Sequence, residues 1–314
     1  MMFKDIPILL VSPALPSLLQ SLEESFQVHK LWLAANPSDF LKEIGPSIQG
    51  VVSTFSHGVS DDLMAQLPHL EMIASYGVGL DRINLETVKK RNIALSNTPD
   101  IQEPVADLAI ALLLTVTRRI CQADRYVREG RWPKGAFPLS TGLQGKTCGI
   151  VAMGRIGQAV AKRAEAFGLT IAYYGPNQKE VPYRYFNNLE TLAKESDFLI
   201  LALPGGKDTF HIIDAKILDA LGPEGFLINI ARGSVVDEAA LIERLKAGKI
   251  AGAGLDVFEV EPLGESPLFE MDNVVVVPHI ASATTEMRKE MGDVVIANLK
   301  AHFSKQPLIT AVIF

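Results

Sequence analysis

Three segments of the sequence end a strand-like apolar run on a residue that can move a proton or bind an anion. Arg232 follows one run, Glu261 lies just beyond the next, and His279 follows a third. Because ligands bind at the carboxyl ends of parallel strands, we expect the three side chains to meet there. An arginine can hold a carboxylate, and a histidine paired with a carboxylate can exchange a proton. Together they suit hydride transfer to a 2-keto acid, although each alone is equally compatible with an ordinary surface residue.

The other histidines lack this setting, with one exception. His57 lies in a loop that follows a predicted strand of the first hundred residues, where it could line a cleft. We therefore keep His57 as the alternative proton donor.

A glycine-containing turn at residues 148–160 joins a predicted strand directly to a predicted helix. Gly154 would let the backbone approach a pyrophosphate, and Gly157 would let the helix pack closely on the strand. The helix would begin near Arg155 and Ile156, where backbone amides and the helix dipole favour phosphate. The context predicts a dinucleotide site, with an ordinary strand–turn–helix as the alternative.

The turn and the strand after it depart from the usual dinucleotide pattern. Ala152 stands where the first glycine is expected, although alanine does not readily adopt a positive φ. Gly175 stands where an acidic residue normally holds the ribose 2′-hydroxyl of NAD, and Asn177, Lys179 and Arg184 follow it. The missing carboxylate favours NADPH over NADH, unless these are only solvated loop residues.

Apolar runs alternate with helical stretches along the chain, in two series separated by the turn-rich joint 97–104. Recurring strands with helices between them predict parallel sheets covered on both faces, and hence an α/β fold. The predicted strands are Ile8–Val11, Gly50–Ser53, Met72–Ser75 and Ile93–Ser96, then Thr147–Met153, Thr170–Tyr174, Phe198–Leu203, Gly225–Ile230, Ile250–Leu255 and Val274–Val277.

Composition limits the classes of partner. The 314 residues carry a formal charge of -6 without long runs of one sign, which argues against nucleic acid or an anionic membrane. Cys121 and Cys148 lie far apart in no metal-like spacing, so we expect neither a disulfide nor a metal site. The apolar run 108–116 is too short to span a membrane. We expect a cytoplasmic protein.

The order of motifs resembles the D-isomer-specific 2-hydroxyacid dehydrogenase family over essentially the whole chain. It is most similar to the glyoxylate/hydroxypyruvate and hydroxyphenylpyruvate reductase branch. The segments that carry the resemblance are the glycine turn, Tyr76–Ile83, Asn97–Pro99, Val105–Leu114, Asn229–Gly233, Gly254–Phe258, Glu261–Pro262 and Pro278–Thr284.

The resemblance implies two doubly wound parallel-sheet domains. A Rossmann dinucleotide domain, residues 99–285, would be inserted in a flavodoxin-like substrate domain, residues 1–98 and 286–314. Family members are typically dimers through the dinucleotide domains. Trp132 matches a position that can reach the partner's active site, with a buried aromatic at the joint as the alternative.

The resemblance also implies roles for individual residues. Arg232 would bind the substrate carboxylate and carbonyl, and His279, paired with Glu261, would be the general acid. The backbone amides of Val78 and Gly79 would complete the carboxylate site. The further predicted cofactor contacts are Asp256 on the nicotinamide amide and Leu203, Pro204, Thr209, Ile230 and Ala231, and the further predicted substrate contact is Ser56.

Two alternatives remain open on the sequence alone. The chain could be a dinucleotide-sensing binding protein of the same fold without enzymatic activity. It could also be another oxidoreductase on this scaffold, such as a formate dehydrogenase. The retention of Arg232, Glu261 and His279 together disfavours the first. The Glu-Pro and Arg-Gly segments disfavour the second, and a failure to reduce any keto acid would revive it.

Overall fold

The computed structural model describes residues 3–54 and 57–313. The chain divides into two compact units, residues 1–101 with 284–314 (unit 1) and residues 102–283 (unit 2). The sequence placed the divisions at 98/99 and 285/286. The differences of a few residues follow the helices at the joints, because one helix begins at Gln102 and Thr284 caps the start of another.

The described part of unit 1 holds five parallel strands in the order β2-β1-β3-β4-β5. This is the flavodoxin-like doubly wound order. The strands are β1 Phe3–Leu10, β2 Phe26–Lys30, β3 Gly50–Thr54, β4 Met72–Tyr76 and β5 Ala94–Ser96, and the helices are α1 Pro16–Ser25, α2 Pro37–Ile44, α3 Asp61–Ala65, α4 Leu85–Lys90 and α11 Thr285–Phe303.

Unit 2, all of whose residues the structure describes, holds seven parallel strands in the order β12-β11-β10-β9-β6-β7-β8. Counted from β6, the order is the Rossmann order with one more strand beyond it. The strands are β6 Thr147–Val151, β7 Thr170–Tyr174, β8 Arg184–Phe186, β9 Phe198–Leu201, β10 Phe226–Asn229, β11 Gly252–Leu255 and β12 Val274–Val276, and the helices are α5 Gln102–Thr117, α6 Ile120–Arg128, α7 Arg155–Ala166, α8 Leu189–Lys194, α9 Ala215–Leu221 and α10 Glu238–Lys246.

Both sheets are buried on their two faces, which is why their strands are almost continuously apolar. In β9 all four residues are buried, as are all four in β10 and β11. The predicted fold class, two doubly wound α/β sheets, is therefore confirmed. Two edge strands, β2 and β8, were not predicted, because their residues are mixed in polarity and only partly buried.

Unit 2 has a switch point between β6 and β9, where the chain runs outward in both directions from the middle of the sheet. The glycine turn follows β6, and the loops after β9 and β10 leave the same sheet edge beside it. The topology thus gathers the predicted cofactor and catalytic residues of this unit at one edge.

Candidate functional site

His279 and Glu261 form a direct pair. The ring atom Nδ1 of His279 lies 2.7 Å from Oε2 of Glu261, and each side chain is about one-fifth exposed (20% and 21%). His279 follows β12 and Glu261 lies in the loop after β11, so neighbouring strands supply the two partners. The bond to the carboxylate orients the imidazole so that Nε2, on the opposite side of the ring, is the atom suited to exchange a proton with a ligand.

The carboxylate of Glu261 is held in its ionised form. Its second oxygen accepts the backbone N–H of Phe258 at 3.1 Å. Burial opposes ionisation, but the hydrogen bond and charge of His279, the Phe258 N–H and the charge of Arg232 together lower the pKa of Glu261 below its ordinary value. The pair therefore presents an ionised carboxylate to the imidazole of His279.

Asp256, which is fully buried directly after β11, holds the loop that carries His279. Its oxygens accept the N–H of Ile280 at 2.6 Å and of Ala281 at 3.0 Å, and its backbone oxygen accepts the N–H of His279 at 2.9 Å. His279 itself adopts a left-handed conformation, with φ at +51°. The contact of Asp256 with a nicotinamide amide stays a prediction, whereas its role in shaping this loop follows from these bonds.

Arg232 is presented by a tight turn at the end of β10. Gly233, the next residue, must be glycine, because a Cβ there would lie 1.8 Å from the carbonyl carbon of Phe258. This close approach brings the turn against the segment that leads to Glu261. The charge of Arg232 contributes to the lowered pKa of Glu261, so the guanidinium belongs to the same site.

The glycine turn after β6 has the geometry that an anion site requires. Gly154 precedes the first residue of α7 and has no capping side chain, and a Cβ at this position would meet nothing within 4 Å. Gly157 allows close packing, because a Cβ there would lie 2.2 Å from the oxygen of Ala152. Arg155 and Ile156 are in the first turn of α7, where backbone N–H groups have no intrahelical acceptor. A pyrophosphate fits such a helix end.

Ala152 adopts a positive φ of +78° at the place of the usual first glycine. The expectation that alanine avoids this conformation is therefore overridden by the packing of the turn. Its backbone N–H donates to the oxygen of Tyr174 on β7 at 2.8 Å, which ties the turn to the neighbouring strand. An alanine held in this conformation carries a backbone cost that a glycine would not carry.

The loop after β7 carries the residues predicted to select the cofactor. Asn177 and Lys179 are exposed, and a Cβ at Gly175 would have only the oxygen of Asn177 near it, at 3.8 Å. Arg184, by contrast, pairs with Glu195 at 2.5 Å. The attraction available to a 2′-phosphate in this loop therefore centres on Lys179.

The remaining cofactor candidates of unit 2 lie at the carboxyl ends of β9 and β10. Leu203, Ile230 and Ala231 are buried there, and Pro204 is exposed. The hydroxyl of Thr209 donates to the oxygen of Pro204 at 2.8 Å, so it braces the loop after β9. These residues share the sheet edge with the glycine turn.

The predicted substrate residues are distributed over both units. Val78 and Gly79 follow β4 in unit 1, and Ser56 lies outside the described residues. Trp132 begins a short 3-10 helix of unit 2 and is 66% exposed, which excludes the alternative of a buried aromatic. His57, the alternative proton donor, is exposed in unit 1, with Nδ1 at 3.0 Å from Oγ1 of Thr54.

One residue of the site was missed by the sequence reasoning. Asn229, the last residue of β10, is 1% exposed and bonds the turn that carries Arg232. The available signal was a polar amide at the end of an otherwise apolar strand, since a buried amide must find partners for its polar atoms. Among the described residues, no cluster of side chains suits a metal ion. In that same part of the chain, every helix is too short or too polar to cross a membrane.

Comparisons with known proteins agree with this geometry. The sequence model of the NAD binding domain of D-isomer specific 2-hydroxyacid dehydrogenases matches residues 110–281. Glyoxylate/hydroxypyruvate reductase A of Arabidopsis thaliana is 45% identical over 312 residues, which cover 99% of this chain and 100% of that protein. Hydroxyphenylpyruvate reductase of Plectranthus scutellarioides is 45% identical over 310 residues, which cover 98% of this chain and 99% of that protein.

A solved structure extends the likeness to three dimensions. The NADPH-dependent glyoxylate/hydroxypyruvate reductase of Sinorhizobium meliloti, in complex with NADP and malonate, matches with a TM-score of 0.91 and 40% identity, covering 98% of this chain and 97% of that chain. The fold, the glycine turn and the relatives of nearly equal length thus indicate the same family. The chain belongs to the D-isomer-specific 2-hydroxyacid dehydrogenase family.

Proposed function

We propose that the protein reduces small 2-keto acids to D-2-hydroxy acids, with NADPH preferred over NADH. The single observation that carries the proposal is the pair of His279 and Glu261 at 2.7 Å, at the same site as Arg232. A proton donor held by a carboxylate, beside a cation for the substrate carboxylate, is what reduction of a keto acid requires of the protein. The names of the relatives indicate glyoxylate and hydroxypyruvate as the first candidate substrates and aryl keto acids as the next.

In the proposed mechanism Arg232 binds the substrate carboxylate and carbonyl. His279 acts as general acid and gives the proton on Nε2 to the oxygen that becomes an alkoxide. Glu261 stabilises the imidazolium before transfer and keeps the ring oriented afterwards. We further propose that the backbone amides of Val78 and Gly79 bind the substrate carboxylate.

The glycine turn supports binding of a nicotinamide dinucleotide. When bound, that cofactor supplies the hydride that goes to C2 of the keto acid. Gly154, Arg155, Ile156 and Gly157 are assigned to its pyrophosphate, because the start of α7 offers N–H groups in an open space.

The preference for NADPH rests on the loop after β7. Gly175 places no carboxylate there to repel a 2′-phosphate, and the exposed Asn177 and Lys179 can contact it. The relative of known structure from Sinorhizobium meliloti is NADPH-dependent, which supports the same preference.

A homodimer formed through unit 2 is the proposed assembly. Helix α6 buries none of its residues, although Ile120 and Val127 on it are large and apolar. Leu139, in the extended segment that follows, is 98% exposed. Exposed apolar groups of this kind favour association. We expect light scattering of the wild type to give twice the mass of one chain, and we expect L139E to give a lower mass.

A cytoplasmic location is also proposed, supported by two unpaired cysteines.

The proposed function is tested by H279A with H57A as its matched control. We expect H279A to lose about a thousandfold in kcat, as removal of a general acid does, while the cofactor Kd changes less than about twofold. H57A should keep near-normal turnover. The measurement is oxidation of NADPH and NADH with a panel of keto acids.

Two results would reject this assignment. Loss of turnover in H57A but not in H279A would make His57 the proton donor. A wild-type protein that binds the dinucleotide but reduces no keto acid would be a binding protein without this activity.

A further inference from the structure

The segment after α11 is bound to unit 1 by a fully buried asparagine. Asn298 of α11 accepts the backbone N–H groups of Ile309 and Thr310 at 3.0 and 3.1 Å on Oδ1. Its Nδ2 donates to the Thr310 hydroxyl at 2.9 Å and to the oxygen of Val294 at 2.9 Å. Both polar atoms of a buried side chain are thus used to hold one short stretch of chain, which a packing role alone does not require.

The same stretch pairs with the edge of the sheet. Ala311 forms an antiparallel bridge with Ser96, and the N–H of Val312 donates to the oxygen of Leu95 at 2.9 Å. The Thr310 hydroxyl donates to the backbone oxygen of Asn97 at 2.6 Å. Thr310 therefore lies between Asn298 and the turn that follows β5.

The turn after β5 holds the loop after β4 through two hydrogen bonds. The backbone N–H of Thr98 donates to the oxygen of Gly77 at 3.1 Å, and Nδ2 of Asn97 donates to the oxygen of Val78 at 3.0 Å. A peptide unit is planar and trans, so fixing its carbonyl also fixes the N–H on its opposite side. The first bond thereby orients the N–H of Val78, and the second orients the N–H of Gly79.

Those two N–H groups are the ones proposed to bind the substrate carboxylate. Both residues are partly exposed, and neither N–H donates to an acceptor within residues 3–54 and 57–313. Two oriented, unused donors at the end of a strand suit a carboxylate, provided that they are held before the ligand arrives.

We propose that Thr310 and Asn97 are positioning residues for substrate binding. Asn298 holds Thr310 by hydrogen bonds, and the Thr310 hydroxyl donates to Asn97. The turn that contains Asn97 then orients the N–H groups of Val78 and Gly79. The inference rests on the proposed function, because it needs these amides to contact the carboxylate. It gives the segment after α11 a part in substrate affinity without contact with the reacting atoms.

The test is T310V, which keeps the side-chain shape and removes the hydroxyl, with T310S as the control that retains it. We expect T310V to raise KM for the keto acid roughly fivefold, as loss of one neutral hydrogen bond would, with kcat and the cofactor Kd within about twofold. T310S should match the wild type. N97D, which cannot donate to Val78, should reproduce the KM rise and guards against a folding defect specific to position 310.

A second readout is independent of turnover. Hydrogen–deuterium exchange should be faster at the Thr98 N–H in T310V than in wild type or T310S, because its acceptor loop is released. An unchanged KM in T310V and N97D would overturn the proposal. So would unchanged exchange at Thr98. Faster exchange in a protein that reduces no keto acid would instead reject the proposed function and support the structural coupling alone.

Discussion

The side chain of Asn229 closes the turn that presents Arg232. Its Nδ2 donates to the backbone oxygen of Arg232 at 3.0 Å, while its Oδ1 accepts the N–H of Ala231 at 3.0 Å. The backbone oxygen of Asn229 also accepts the N–H of Asp256 at 3.0 Å. One buried residue therefore fixes both the arginine turn and the start of the neighbouring loop, so the position of the guanidinium depends on it.

Replacement of Asn229 by alanine should weaken substrate binding more than cofactor binding. The change leaves a buried N–H and a buried oxygen without partners, which costs about 1–3 kcal/mol of stability, and it frees the Arg232 turn. We expect KM for the keto acid to rise about tenfold in steady-state kinetics, with a smaller change in the cofactor Kd.

N188A is the matched control. Asn188 caps α8 from an exposed position, where its side chain accepts the N–H of Thr191. Its loss should cost about 1 kcal/mol of stability and leave KM unchanged. Equal KM values in the two variants would show that Asn229 has no special relation to Arg232.

Asp256 should make the protein less stable as the pH rises through the weakly acidic range. Complete burial raises its pKa to about 6, against the opposing bonds from Ile280 and Ala281. In the unfolded chain the group ionises near its ordinary value of 3.8. Between these values the folded state binds a proton that the unfolded state lacks, so stability falls as pH rises from about 4 to about 6 and is level above that, a change on the order of 3 kcal/mol.

The measurement is the melting temperature of wild type and D256N at about pH 4.5 and pH 7. The advantage of wild type over D256N should be larger at the lower pH, because asparagine does not titrate. D272N, which removes a carboxylate from a largely exposed position, is the control. A wild-type advantage that does not vary with pH would contradict the prediction.

The sequence predicted the strand-end chemistry because parallel topology alone places successive strand ends together. No knowledge of side-chain packing was needed to group Arg232, Glu261 and His279. Asn229 and the bonds of Asp256 were not found, because they depend on backbone groups whose directions only the folded loops define. Helix α6 was also missed, since it buries none of its residues and the sequence there is strongly charged.

Replacement of Gly175 by aspartate should shift the cofactor preference toward NADH. A Cβ is accommodated at this position, since only the oxygen of Asn177 would lie within 4 Å of it, at 3.8 Å. The new carboxylate would repel a 2′-phosphate and could bind a ribose 2′-hydroxyl. We expect the ratio of kcat/KM for NADPH to that for NADH to fall at least about tenfold, a change of about 1.4 kcal/mol.

G264D supplies the matched control for this change. Gly264 is exposed with nothing within 4 Å of its Cβ, so the same charge is added away from the loop after β7. Its cofactor ratio should equal that of the wild type. If G175D also left the ratio unchanged, the loop would not contact the 2′ position.

Ala152 provides a test of backbone strain at the glycine turn. Its φ of +78° is costly for any residue with a Cβ, by roughly 1–2 kcal/mol, whereas glycine adopts it freely. Glycine also gains entropy in the unfolded chain, which offsets about 0.5–1 kcal/mol of that relief. A152G should therefore leave the melting temperature unchanged or raise it. A161G, the same replacement in the right-handed and buried middle of α7, should lower the melting temperature, because the loss of helix propensity costs at least about 1 kcal/mol of stability. Calorimetry measures the melting temperatures of A152G and A161G. An equal loss of stability in the two variants would mean that Ala152 bears no strain.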